Sequence, residues 1–281
     1  MGDLVIIAVG SLKASPGATT LALALADRWP TDGGDPLVVE ADPAGGDLGA
    51  RFGLLAGGRG LVTLAAAGRR GGGQRSAEDH AHQLPGGLAV IPAPTGAEQA
   101  SQVLGELDGG GWSLLWSAAQ TGGRTVIVDC GRLDPWSPAG PALRAADVLL
   151  LVVRARDEEL AHLAARLHVV QGWALPAWYV VVVAQPHRAP DYRVREIARV
   201  LGSQVLGPVP HDTTAAEVLA GRRQTRTGIG RSKLGRTVAG IAGYLAATVP
   251  AGSERPALGA APAGSNGRAA LPPTPTRTVP R

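Results

Sequence analysis

The stretch Gly10-Ser11-Leu12-Lys13-Ala14-Ser15-Pro16-Gly17-Ala18-Thr19-Thr20 decides the fold. It follows an apolar run, Leu4 to Val9, and opens directly into an alanine- and leucine-rich helical pattern from Thr19 to Trp29. Strand, small-residue loop, helix is the order in which a loop wraps a phosphate. Consecutive backbone N–H groups and the positive end of the helix dipole converge there.

Outward from this unit, short runs rich in Val, Ile and Leu alternate with longer helical patterns, as in a parallel sheet covered on both faces. Strands are expected at Leu4 to Val9, Leu37 to Glu40, Leu88 to Ile91, Thr125 to Asp129, Val148 to Val153, Tyr179 to Ala184 and Gln204 to Leu206. Helices are expected at Thr19 to Trp29, Ala97 to Leu107, Asp157 to Gln171, Tyr192 to Leu201, Ala215 to Ala220 and Ser232 to Thr248. The fold class is α/β: a doubly wound, mostly parallel sheet with helices on both faces. Two segments break the pattern. Gly68 to Gly73 reads as a flexible Gly/Arg loop, and from about Pro250 onward large apolar residues are almost absent. Residues 1–248 are thus expected to form one domain, and residues 249–281 a disordered Pro/Ala/Gly-rich tail.

The composition narrows the function classes. No apolar run in the 281 residues approaches the roughly 20 needed to span a membrane. The N-terminus lacks the basic region and cleavage site of a secretory signal, so a cytoplasmic location is expected. Cys130 is the one cysteine and reads as a buried structural thiol. His80 and His82 lack a Cys or carboxylate at metal-site spacing and read as a surface-loop pair. A net charge of +4 permits contact with nucleic acid or an anionic surface without demanding it. Lys13 and Lys233 are the only lysines among 27 basic residues, which gives a lysine inside the phosphate loop more weight than it would carry elsewhere.

The strict Walker A pattern is Gly, four residues, then Gly-Lys-Ser/Thr. Here Leu12 takes the first Gly position and Ala18 the Lys position, while Gly17 and Thr19 match. In frame, Lys13 to Thr19 resembles the deviant loop KGGxGK[ST] of the MinD/ParA P-loop ATPases, possessing its early lysine. The resemblance implies ATP or ADP with Mg²⁺, held by Lys13, Ser15, Gly17, Ala18, Thr19 and Thr20, and a homodimer with ATP sandwiched between two subunits. Lys13 would reach across the dimer interface to the nucleotide of the other subunit, its alternative being a solvated loop lysine. The chain departs from the family at Ala18, because the lysine usual there neutralises β- and γ-phosphate charge. Pro16 also removes a backbone donor. Backbone amides from Gly17 to Thr20 remain.

Other pieces fall into the same frame. Glu40-Ala41-Asp42-Pro43-Ala44-Gly45-Gly46-Asp47-Leu48 resembles the family's switch region, which implies that Asp42 positions the attacking water. An Asx-turn or capping carboxylate is the alternative, and Asp47 is expected to cap the next helix. Thr125 to Gly131 is an apolar strand ending in Asp129, the Walker B form, where a carboxylate can hold the water shell of Mg²⁺ beside Thr19. Gln185-Pro186 stand where the family contacts adenine, without its usual Asn. Gly207 to Asp212, with Pro210, resembles the family's turn lining the nucleotide pocket, or is an ordinary Pro-rich connection.

Arg222, Arg223, Arg226, Arg231, Lys233 and Arg236 cluster between two helices. ParA-like proteins bind DNA non-specifically through such residues, but a solvated arginine-rich loop is favoured because no recognition-helix pattern accompanies them. The last helix, with Leu234, Val238, Ile241 and Leu245 in register, is expected in the core rather than on a membrane. The resemblance therefore implies a nucleotide-dependent dimeric switch in chromosome partitioning, septum placement or secretion and pilus positioning, with slow hydrolysis. The alternative is a non-hydrolysing scaffold of the TadZ/CpaE type, favoured by Ala18. A metabolic P-loop enzyme lacks any visible second substrate site.

Overall fold

The computed structural model describes residues 5–13, 16–31, 34–54, 58–71, 76–122, 124–173, 175–185 and 189–249. Ser15, Pro186 and the expected tail beyond Val249 lie outside them. The strands are β1 (Ile6–Ser11), β2 (Leu37–Glu40), β3 (His82–Gln83), β4 (Ala89–Ile91), β5 (Val126–Arg132), β6 (Val148–Arg154), β7 (Ala177–Val183) and β8 (Val205–Val209). The helices are α1 (Ala18–Asp27), α2 (Leu48–Arg51), α3 (Leu61–Arg69), α4 (Ala97–Glu106), α5 (Gly111–Gly122), α6 (Gly140–Ala145), α7 (Asp157–Gly172), α8 (Val194–Leu201), α9 (Thr213–Leu219) and α10 (Lys233–Thr248).

The strands form one sheet in the order β3-β4-β2-β5-β1-β6-β7-β8. Every pairing is parallel except β3 with β4 at one edge. Central strands are buried on both faces, so they read as unbroken Val/Ile/Leu runs rather than as alternating ones. Alternation nonetheless assigns each residue to a layer. Ile7 and Val9 of β1, Ile127 of β5, Val38 of β2 and Val148, Leu150 and Val152 of β6 pack with α1, α9 and α10. Their neighbours in sequence pack on the opposite face with residues of α3 to α8.

This order puts β1 between β5 and β6, with β2 and β4 reached on one side and β7 and β8 on the other. Such a reversal opens a crevice beyond the carboxyl ends of the strands. The loop after β1, Asp129 of β5 and Glu40 of β2 all stand at that end, and Glu40 is paired in register with Asp129.

The seven expected strands and six expected helices are present with shifts of a few residues at their ends. Several expectations need correction. Gly68 and Arg69 are not loop but the end of α3, and Gly68 meets α5 so closely that a Cβ would lie 2.3 Å from the Gly111 nitrogen. His80 is not on the surface: it is 1% exposed and its Nδ1 pairs with the Thr63 hydroxyl at 2.9 Å. Asp47 holds the position before α2 but makes no side-chain cap, its carboxylate pairing with Arg51 instead. Leu234, Val238, Ile241 and Leu245 of α10 are buried in the α1-side core, as expected.

Candidate functional site

Gly17 precedes α1 with φ 103°, a left-handed conformation that glycine adopts without strain, and open space lies where a Cβ would be. The first bond into the helix runs from the Leu21 N–H to the Gly17 carbonyl, at 2.9 Å. Among the described residues no side chain caps this end, and no acidic residue lies in its first turn. The N–H groups of its opening residues therefore face outward at the positive end of the helix dipole, a ready anion site. Ala18 itself is buried, 6% exposed, in the α1-side core. Lys13 is exposed. Its neighbour Leu12 is fixed through its carbonyl, which accepts from Arg166 Nη1 of α7 at 3.2 Å.

Behind the loop three groups converge. Asp129 is 1% exposed and, like Ile127, faces the α1 layer. Its Oδ1 accepts from the Gly131 N–H at 3.2 Å, while Oδ2 is buried without a hydrogen-bond partner among the described residues. Burial raises its pKa to about 6, the Thr19 hydroxyl and the Gly131 N–H draw it back down, and the Asp42 charge pushes it up again. Asp42 lies directly over Gly131, so that a Cβ there would stand 2.0 Å from the Asp42 carboxyl carbon. Gly131 has φ 57° as well, so glycine is required both for its backbone and for this approach. One Asp42 oxygen accepts from the Ala44 N–H at 2.8 Å, an Asx-turn. Burial raises the Asp42 pKa, that N–H lowers it, Asp47 raises it and Arg132 lowers it.

Glu40 escaped the sequence reading. It is 1% exposed; Oε1 accepts from the N–H groups of Asp47 and Leu48 at 2.7 and 3.1 Å, and Oε2 from that of Ala93 at 3.0 Å. This carboxylate ties the segment after β2 to the loop after β4 and so holds Asp42 in place. Burial lifts its pKa to about 7 against the pull of the three N–H donors. The signal was available, since an acidic residue closing a buried strand needs a partner wherever it occurs.

On the other side of the loop a cavity of about 490 Å³ opens, lined by Gly17, Thr20, Arg154, Arg156, Gln185 and Pro210 among others. That volume suits a small organic ligand. Gln185 Oε1 accepts from Arg156 Nε at 2.9 Å. Asp212, also on the wall, is a structural joint, with its carboxylate accepting from the Ala215 N–H at 3.0 Å and the Leu234 N–H at 3.4 Å. Gly17, Thr19, Thr20, Asp42, Asp129 and Pro210 are thus brought around one helix terminus, and Lys13 stands outside the cavity wall. Of the basic cluster, Arg222, Arg223, Arg226, Arg231, Lys233 and Arg236 are all exposed, and Lys233 adjoins Leu234 of the cavity wall. Arg223 pairs with Glu217 and Arg236 donates to the Arg231 carbonyl. Cys130 is buried, which pushes its thiol pKa far up. Trp136, 90% exposed, projects from the turn after β5. Among the described residues no helix is long and apolar enough to cross a membrane.

The residues fit a nucleotide and a hard cation. The uncapped start of α1 offers donors to phosphate oxygens, and the orphaned Asp129 oxygen beside the Thr19 hydroxyl offers oxygen ligands, directly or through water, to Mg²⁺.

No family model matches the chain, and no curated protein matches its sequence. Solved structures do match. A ParA family ATPase from Chlorobium tepidum is 18% identical with a TM-score of 0.67, over 87% of this chain and 100% of that one. The septum site-determining protein MinD from Pyrococcus horikoshii, complexed with Mg-ADP, is 17% identical with a TM-score of 0.68, over 86% and 95% of the two chains. A Cyanothece McdA–ATP complex is 16% identical with a TM-score of 0.64, over 87% and 97%. The chain therefore has the fold of the MinD/ParA ATPases, an eight-stranded, mostly parallel sheet with helices on both faces.

Proposed function

We propose that this chain is a nucleotide-dependent switch of the MinD/ParA kind, binding ATP or ADP with Mg²⁺ and acting as a homodimer in partitioning, septum placement or positioning. The observation that carries this reading is the convergence of Thr19 and Asp42 on the buried, half-satisfied carboxylate of Asp129 at an uncapped helix start. The Mg-ADP and ATP complexes among proteins of the same fold support the choice of ligand.

The residues divide the work by position. The N–H groups of Ala18, Thr19 and Thr20 bind phosphate, and the bound Mg²⁺ would supply charge neutralisation there. Thr19 and Asp129 hold that cation. Asp42, fixed by the Ala44 N–H and seated over Gly131, orients a water for attack. Lys13, which is exposed, would meet a second subunit. The exposed Trp136 supports a surface for protein contact, since burying such a side chain in an interface is strongly favourable.

A second reading, a non-hydrolysing scaffold, is favoured by one observation: the lysine position is a buried alanine within the core. ATP turnover by the purified chain and by Asp129→Ala separates the two. The switch predicts slow release of phosphate that disappears in the variant. Nucleotide bound with no turnover would leave the scaffold, and turnover equal in both proteins would remove Asp129 from the mechanism.

A further inference from the structure

A second cavity, of about 770 Å³, shares a wall with the one that opens at α1: Arg156, Val183, Ala184 and Gln185 line both. We propose that this second cavity binds a small amphipathic anion, an apolar body with one carboxylate, and that its occupant tightens nucleotide binding through the shared wall. The coupling rests on the nucleotide site proposed above; the cavity does not.

The end of the sheet is the partition. Val182 of β7 packs in the layer of α3 to α8, and Val183, next in the chain, packs in the α1 layer. Leu21 and Leu234 of the α1 layer line the first cavity, whereas Ala155, Val182, Val194 and Val205 of the opposite layer line the second. Ala155 and Val182 are buried there, and Val194, Ala198 and Val205 are half-buried. A cavity of this size and apolar lining takes an organic ligand. Its ionisable lining is Arg156, Arg193, Arg195 and Asp191, three cations to one anion, with Arg193 and Arg195 exposed. That balance favours a ligand with a negative end. It disfavours the chain's own residues 250–281, which carry Arg255, Arg268, Arg277 and Arg281 against Glu254.

Hydrogen bonds connect the two cavities. On the shared wall, Arg156 donates from Nε to Gln185 Oε1 at 2.9 Å and from Nη1 to Glu158 Oε1 at 3.2 Å. The segment that carries Arg156 is held in turn by residues of the second cavity. The Asp191 N–H donates to the Ala155 carbonyl at 3.1 Å, and the Tyr192 hydroxyl to Asp157 Oδ1 at 2.5 Å. An occupant packed against Tyr192 therefore fixes residues 155–157 and, through Arg156, the Gln185 wall that a nucleotide meets. Ordering that wall beforehand lowers the cost of binding nucleotide. By linkage, nucleotide tightens the occupant by the same factor.

The probes are decanoate and uncharged decanol, whose equilibrium binding to the full chain is measured with and without ATP and Mg²⁺. The proteins are the wild type, Ala198→Phe, the Arg193→Gln/Arg195→Gln pair and Tyr192→Phe, with melting temperature and oligomeric state recorded for each. Decanoate should bind the wild type more tightly than decanol by about 2- to 5-fold, the worth of exposed charge, and the arginine pair should remove that preference. Ala198→Phe, which fills the cavity, should remove decanoate binding while ATP still binds. ATP should tighten decanoate by about 5-fold or more, and Tyr192→Phe should shrink that factor. If Ala198→Phe does not fold, the arginine pair, altered only at exposed positions, is read in its place. A wild type that does not bind decanoate, or that binds decanol equally well, overturns the site, as does decanoate binding that Ala198→Phe leaves intact. Loss of self-association in Ala198→Phe, with no decanoate bound by the wild type, would give the groove to a second copy instead. Decanoate affinity that ATP leaves unchanged or weakens, or a tightening that Tyr192→Phe leaves whole, overturns the coupling while both cavities stand. If neither ATP nor ADP binds, the nucleotide site fails and the coupling with it, and the decanoate measurements still decide the second cavity.

Discussion

Glu40 is the residue on which the arrangement of the site turns. Three backbone N–H groups from two loops end on its carboxylate, and no water replaces them because the group is buried. Its folded-state pKa is raised to about 7 from 4.5. The folded chain thus holds this proton more tightly than the unfolded chain, so this contribution to stability is fully present below about pH 4.5 and is lost as pH rises through about 7. Denaturant unfolding should accordingly show a lower stability at about pH 8 than at about pH 5, by up to about 3 kcal/mol from this group. Glu40→Gln should flatten that decline; equal slopes in both proteins would contradict the assignment. The variant sets its amide N–H₂ against a backbone donor at every pH, a cost of roughly 1–3 kcal/mol that the ionised Glu40 of the wild type does not meet. Asp129 was legible in the sequence because a carboxylate closing an apolar strand is costly without a purpose. Glu40 satisfies the same rule, but it stands two residues before a more conspicuous Asp-Pro, and its donors come from residues 7, 8 and 53 positions away, which no local pattern discloses.

At the scale of elements, the site depends on α1 beginning where it does. A left-handed glycine turns the chain, and the absence of any cap leaves the first N–H groups to a ligand. Both features were readable, since Gly17 followed by alanine- and leucine-rich sequence signals a helix start and its lack of a capping side chain. The opposite layer was read less well. α3 and α5 were missed because glycines and short polar interruptions weaken their helical pattern, and β3 is only a two-residue edge. Close approach explains the glycines: Gly68 of α3 lies against Gly111 of α5, and Gly110 in turn lies against the Gly68 carbonyl. A Gly68→Ala substitution should force these helices apart at a cost of about 1–3 kcal/mol, seen as a lower melting temperature with ligand binding unchanged. An unaltered melting temperature would mean that the two helices are not in contact.

For the whole molecule, the decisive feature is that the sheet reverses its strand order around β1. That reversal gathers ends of β2, β5 and β6, from chain positions far apart, at one helix terminus. The alternation of short apolar runs and helical patterns made the parallel sheet legible, and Gln185 was placed by resemblance, whereas Arg154 and Arg156 on the cavity wall were not legible, because that wall arises only when β6 and β7 are set beside β1. The basic residues between α9 and α10 and at the start of α10 stand exposed and partly paired with their own neighbours.

On the proposed function, an uncapped helix start without a loop lysine still binds a nucleotide with Mg²⁺. The most direct measurement is the melting temperature of the full chain with ATP or ADP, with and without Mg²⁺, for the wild type and Asp129→Asn. Ligand at about 100 times its dissociation constant should stabilise the wild type by about 2.7 kcal/mol, with the Mg²⁺-dependent part of the shift missing in the variant. A wild-type melting temperature that neither nucleotide moves, in the presence or absence of Mg²⁺, would contradict it.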